Sequence, residues 1–124
     1  YWLFGTPTCT QSFFSNKSSL NITAYDYANY LWEYDDFSVS VVLNYYRRDS
    51  KRTLEILTDE GTYLVDLLKN NISYNDELIF QSRQMPLETY TAQMQFFVEK
   101  ILNKQTKFNT IVEGYKVLEL CLQE

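Results

Sequence analysis

Histidine is absent from this sequence of 124 residues, and cysteine occurs only at Cys9 and Cys121. Without an imidazole, no Ser-His-Asp or Cys-His catalytic arrangement can be built from the chain. A zinc site is not expected either, because no CxxC pair or Cys/His cluster exists. The two thiols lie near opposite ends of the chain. A disulfide stapling the termini is one reading, and two buried free thiols in a reducing cytoplasm is the favoured one. The three glycines are far apart and none belongs to a GxGxxG phosphate loop. With two prolines besides, the chain is poor in loop-forming residues, which argues against disorder. No apolar run approaches the length of a membrane span, and no signal peptide is visible, so a cytoplasmic location is expected. The sequons at Asn16, Asn21 and Asn71 would matter only in a secreted eukaryotic protein.

Basic residues are outnumbered, 11 Lys and Arg against 16 Asp and Glu, for a net charge of -5. Nucleic-acid phosphates repel such a surface, and no nucleic-acid partner is expected. The one dense basic run is Arg47, Arg48, Lys51 and Arg52, broken by Asp49. It could face an anionic ligand; it equally fits a charged strand end and hairpin. The acidic pairs Asp35-Asp36 and Asp59-Glu60 both sit in turn positions, where Asp is favoured for backbone reasons. The chain therefore contains no catalytic constellation.

What it has in abundance is aromatic side chains, 17% of residues, with 11 Tyr and 8 Phe. Aromatic residues favour strands and bring large burial areas, and 124 residues suffice for one domain with a core. Period-two patterning predicts strands over 8–14, 25–34, 37–48, 51–58 and 62–68, with two short ones over 72–74 and 77–81. Turns fall at Asp35-Asp36, Asp49-Ser50 and Asp59-Glu60-Gly61, where Gly61 can supply a positive φ. Upstream, the apolar stretch Tyr1 to Phe4 closes on Gly5 with Pro7 just beyond, as a helix end does. The chain thus reads as truncated before Tyr1.

From Pro86 the period becomes helical: Leu87, Tyr90, Met94, Phe97 and Ile101 recur on one face. Glu88 near the start and Lys100 and Lys104 near the end suit the helix dipole. After a connection over 104–109, Thr110-x-x-Glu113 is a capping box opening a second helix with the stripe Ile111, Tyr115, Leu118 and Leu122. The expected fold is a single α+β domain: a mostly antiparallel sheet of about five to seven strands with helices packed on one face. Helices on one face leave the other open. A face carrying Tyr30, Trp32, Tyr34, Val42 and Tyr46 would then be an exposed patch of the kind that meets another subunit or domain.

Several segments, in order, resemble the C-terminal domain of the glucose–fructose oxidoreductase / inositol dehydrogenase / rhizopine catabolism (Gfo/Idh/MocA) family. Tyr1-Trp2-Leu3-Phe4-Gly5-Thr6-Pro7 resembles the family's "YLFGEP", and Tyr25-Asp26-Tyr27-Ala28 its "ED-x-A". Val41 to Arg48 is similar to the "LDYxxR" strand, with Asn44 where Asp is commoner. Arg52 to Ile56 with Glu60 to Asp66 resembles the family's Gly-Thr hairpin, with Asp59 in place of its first Gly. Glu113-Gly114-Tyr115-Lys116-Val117-Leu118-Glu119-Leu120 resembles the closing "D/EG-x-x-VLEL" helix.

The resemblance implies that NAD or NADP would bind a Rossmann domain preceding this chain, with no cofactor held here. It places the catalytic Lys and Asp/His upstream of Tyr1, so no catalytic or cofactor-binding residue carries over. The implied activity is oxidoreduction of a sugar, nucleotide sugar or polyol. This chain would shape the substrate pocket and mediate contacts in a homodimer or larger oligomer. Substrate contacts, if any, are expected at Tyr45, Arg47 and Arg48, where a guanidinium can fork onto a carboxylate or phosphate. The alternative is a stand-alone dimeric α+β binding or assembly module without catalysis.

Overall fold

In the computed structural model, which describes residues 1–84, 86–103 and 110–122, the chain forms seven strands followed by two helices. These are β1 (Cys9–Ser15), β2 (Tyr27–Glu33), β3 (Ser38–Asn44), β4 (Thr53–Thr58), β5 (Gly61–Asp66), β6 (Asn71–Tyr74), β7 (Glu77–Gln81), α1 (Pro86–Leu102) and α2 (Ile111–Leu122). The α+β class and antiparallel pairing are as the patterning predicts. The strands do not make one sheet, however. They form a three-stranded sheet, β1-β2-β3, and a four-stranded sheet, β4-β5-β6-β7. The chain correspondingly divides into two units, Tyr1–Arg48 with Lys107–Glu124, and Asp49–Thr106.

The first unit opens with the expected cap. Gly5 adopts φ 76°, and its amide donates to the Tyr1 carbonyl at 2.7 Å. That closes a turn with a left-handed residue, which glycine enters without a Cβ penalty. Strand β2 is central, and its register puts Thr10, Trp32 and Val39 in one row and Ser12, Tyr30 and Val41 in the next, all on one face. Helix α2 lies against that face: the Tyr30 hydroxyl donates to the Cys121 carbonyl at 3.1 Å. Tyr30 and Leu120 are the buried hydrophobic residues of the described chain.

The expected patch therefore needs correcting. Tyr30 is 6% exposed and lies beneath α2. Val42 pairs with Asn29 and belongs to the opposite face, with Phe13 and Leu31. That opposite face is the open one, since Phe13, Leu31 and Val42 are all exposed. The thiols also differ from expectation. Both are free, but Cys9 is exposed and Cys121 only half-buried.

In the second unit, β4 to β7 form a meander whose register gathers Leu54, Ile56, Tyr63, Val65, Ile72, Tyr74 and Phe80 on one face. The β6–β7 turn is Asn75-Asp76 with φ 46° and 68°. Positive φ at both central residues is the type I′ geometry that matches strand twist. Gly61 has no positive φ; it opens β5. A Cβ there would lie 2.6 Å from Asn75 Oδ1 and 2.7 Å from the Tyr74 ring. Its smallness accommodates neighbours from the next hairpin, and not a turn. No described residue of this unit is buried.

Helix α1 starts at Pro86, with Glu88 in its first turn and Lys100 in its last. Its predicted stripe of Leu87, Tyr90, Met94, Phe97 and Ile101 is exposed. Lys104 and the 104–109 connection lie outside the described residues. The capping box of α2 is formed: Glu113 accepts from the Thr110 amide at 2.6 Å, and the Glu113 amide donates to the Thr110 hydroxyl at 3.2 Å. Among the described residues, no helix is long and apolar enough to cross a membrane.

Candidate functional site

Strand β3 ends at Asn44 because its partner β2 begins at Tyr27, the residue paired with Asn44. One further bond follows, from the Tyr45 amide to the Asp26 carbonyl at 2.9 Å. Beyond it the chain has no strand to pair with, and the predicted extension to residue 48 does not form. Tyr45, Arg47 and Arg48 consequently lie past the strand in an irregular segment, all three exposed. Tyr45 is 76% exposed. Lys51 and Arg52, the rest of the basic run, belong to the second unit.

Asp26 supports this segment from beneath, and the composition gave no hint of it. It is 1% exposed and the only described charged side chain to be buried. Its carboxylate accepts from the Ser18 amide at 2.7 Å and the Lys17 amide at 3.4 Å. A hydrogen bond from the Ser18 side chain, with the backbone amides of Ser18 and Lys17 adding to it, holds the Asp26 carboxyl below its ordinary value against the opposing effect of burial. Its own amide donates to the Ser15 carbonyl at 3.0 Å. Asp26 thus ties together the end of β1, the loop over 16–25 and the start of the Tyr45 segment. The loop is braced again by Asn16 Nδ2 donating to the Ile22 carbonyl at 2.6 Å, and Tyr25 stacks on Phe14 at 4.9 Å.

Chemically, this end of the sheet offers an exposed phenol and two guanidinium groups, suited to holding an anionic or hydroxylated group. It offers no general base. The Asp26 carboxylate is engaged by amides and a hydroxyl and is held ionised at neutral pH, so it has little basicity to lend. Among the described residues, no group of three or more His, Cys, Asp or Glu could hold a metal ion.

At the other end of the same sheet, roughly 20 Å away along seven-residue strands, lies a cleft of about 270 Å³. Tyr1, the 6–10 segment entering β1, and Lys116, Glu119 and Leu120 of α2 line it. Spacing of three and four residues puts those α2 side chains on one helix face. The Lys116 ammonium lies 5.8 Å from the centre of the Tyr1 ring. A larger hollow of about 600 Å³ along α1 is lined by Tyr90, Thr91, Met94, Gln95, Val98 and Glu99. All six belong to one helix, so it is an uncovered helix flank and not an enclosed site. Neither is lined by Tyr45, Arg47 or Arg48.

No family model matches the chain, and neither a curated protein nor a solved structure shows detectable similarity to it.

Proposed function

We propose that this chain is a scaffold and assembly domain of a larger NAD(P)-dependent oxidoreductase that acts on a sugar, nucleotide sugar or related polyol. The observation that carries the assembly part is uncovered apolar surface. Tyr30 and Leu120 are the buried hydrophobic residues of the described chain, while Phe13 and Val42 on one sheet, Leu57 and Phe80 on the other, and Phe97 on α1 are exposed. A chain of this length ordinarily buries far more, and exposed apolar faces of this kind are surfaces for another layer of protein. The oxidoreductase part is supported by the ordered resemblance of five segments to the C-terminal domain of the sugar oxidoreductase family. The antiparallel α+β architecture is compatible with it.

On this reading the nicotinamide cofactor belongs to a Rossmann domain outside the chain, and the protein works in the cytoplasm. The open sheet faces meet that domain and further copies of the same chain. Tyr45, Arg47 and Arg48 border the substrate or line such an interface. Titrating NADH and NADPH into the 124-residue chain while following nicotinamide fluorescence tests the assignment. An absence of saturable change is expected, and saturable binding would overturn the placement of the cofactor site elsewhere.

A stand-alone dimeric module without catalysis is the second reading. It is favoured by the Asp26 carboxylate, the buried acid beside Tyr45, which is committed to backbone amides of the loop and serves structure there. The coding sequence before Tyr1 separates the two. A strand with GxGxxG, followed by the Lys and His motifs, supports the oxidoreductase.

A further inference from the structure

Strand β3 is an edge of the three-stranded sheet, with β2 on one side and no described strand on the other. The phase of its hydrogen bonds is fixed at both ends. The Tyr34 amide donates to the Phe37 carbonyl at 2.9 Å, and the Tyr45 amide to the Asp26 carbonyl at 2.9 Å. Hydrogen-bonded and non-hydrogen-bonded pairs alternate along an antiparallel ladder. Odd-numbered residues of β3 therefore turn their amides and carbonyls toward β2, and Ser38, Ser40, Val42 and Asn44 turn theirs outward. Sheets commonly protect such an edge with charge, proline or a bulge. Strand β3 has none of these: Ser38–Asn44 reads SVSVVLN, and its register with β2 is unbroken. The other edge, β1, has Pro7 and Lys17 just beyond its ends.

The flanks of β3 select the strand that fits it. Asp35 and Asp36 precede it, and Arg47 and Arg48 follow it. The segment is thus acidic at one end, uncharged along its length and basic at the other. A second β3 running antiparallel lays the acidic end of each copy on the basic end of the other, whereas a parallel copy sets like on like. Centred on Val41, the pairing puts Ser38 opposite Asn44, Val39 opposite Leu43 and Ser40 opposite Val42, each twice by symmetry. The outward-turned pairs, 38 with 44 and 40 with 42, are then the ones that exchange backbone bonds, as the phase requires. Beyond the strand ends the same register makes Asp36 a diagonal neighbour of the partner's Arg48, within reach of a long side chain. One patch serves on both copies, so the association closes at a dimer. Two three-stranded sheets become one continuous sheet, with α2 of each copy on the same face.

We infer that the β3 edge pairs antiparallel with the β3 edge of a second copy of this chain, about a two-fold axis at Val41. The inference is independent of the oxidoreductase reading. It goes beyond the assembly reading, which concerns the sheet faces, by assigning an edge, a partner strand and a register. Of the two roles open to Arg48, it selects the interface.

The test is disulfide trapping under mild oxidation, with single cysteines placed along β3 in a Cys9→Ser, Cys121→Ser background. Val41→Cys should give a covalent dimer, since the two residues form a non-hydrogen-bonded pair with Cα atoms about 4.5 Å apart, within disulfide reach. Val39→Cys and Leu43→Cys should each fail to dimerise alone, their equivalents lying roughly 13 Å apart along the strands, and should cross-link when mixed. Ser40→Pro removes an outward amide and leaves the ladder to β2 intact, so it should abolish the Val41→Cys dimer. Asp36→Arg should weaken association about threefold to tenfold, each exposed pair being lost twice, and adding Arg48→Asp should restore it. Deuterium exchange of the unaltered chain does not depend on any variant folding. At about ten times the dissociation constant, the Ser40 and Val42 amides should exchange about tenfold more slowly than in dilute solution. Exchange at these two amides that is the same at every concentration would overturn the inference. A dimer that persists without the Val41→Cys cross-link would overturn it too, and would leave the face reading standing.

Discussion

The Tyr30 hydroxyl and the Cys121 carbonyl, 91 residues apart in sequence, meet at 3.1 Å. The bond joins the central strand of the three-stranded sheet to the last turn of α2, where carbonyls have no partner within the helix. Burial, with a further contribution from Cys121, pushes the Tyr30 phenol above its ordinary pKa, so it stays a donor at physiological pH. Tyr30 is therefore both the most buried hydrophobic residue of the unit and the peg that fixes α2.

Removing the hydroxyl alone, in Tyr30→Phe, should cost about 1 kcal/mol, the net worth of one such bond. Tyr30→Ala should cost about 3–5 kcal/mol, as aromatic-to-alanine changes in cores do. Urea unfolding followed by tyrosine and tryptophan fluorescence measures both. Equal losses for the two variants would mean that the ring contributes nothing beyond its hydroxyl.

Three carboxyl groups are held below their ordinary values by hydrogen bonds: Asp26 chiefly by the Ser18 side chain, Asp66 by the Lys69 amide and Glu113 by the Thr110 amide. A depressed folded-state pKa means that the unfolded chain takes up protons first as pH falls. The stabilisation is thus complete above the unfolded values, near pH 4, and is lost as pH drops through the lower folded ones. Urea midpoints should be flat from neutral pH to about 5 and fall below about 4. Asp26→Asn should lower the midpoint at pH 7 and shrink the acid-side fall. A variant whose acid-side fall matches that of the unaltered chain would show that Asp26 is not among the groups responsible.

Gly61→Ala should destabilise the second unit by about 1–3 kcal/mol through overpacking. The neighbours it would meet cannot swing away freely. Asn75 Oδ1 accepts from the Thr62 amide at 2.9 Å, and the Tyr74 hydroxyl donates to the Glu60 carbonyl at 2.6 Å. Paired with Asn75→Ala, which clears the space at the cost of that bond, the Gly61→Ala penalty should shrink. Strict additivity of the two substitutions in a double-mutant cycle would contradict the steric account.

Features written in short-range pattern were legible in the sequence. Alternation and turn residues place β7 at Glu77–Gln81 to the residue, and Thr110 with Glu113 announces the cap that α2 uses. What depends on distant residues was not. Alternation in 37–48 continues after Asn44, but a strand needs a neighbour, and β2 supplies none past Tyr27. Pattern also says nothing of which strand pairs with which, so the division into two sheets was invisible. Gly61 looked like a turn residue because the obstruction comes from Asn75, on another hairpin. Asp26 stood out only within the Tyr25-Asp26-Tyr27-Ala28 resemblance, and its burial and role gave no signal, since its partners Lys17 and Ser18 offer backbone amides across a loop. For the same reason the cleft of Lys116 and Glu119 could not be read. It exists only once α2 lies against the entry to β1.

The central claim, that the uncovered apolar faces are surfaces for another protein layer, is tested most directly by multi-angle light scattering of the chain across a range of concentrations. The account predicts masses rising from 14.8 kDa toward at least twice that value as concentration increases, with Val42→Lys on the open face of the three-stranded sheet reducing the association. A folded chain that stays at 14.8 kDa at every concentration would contradict it.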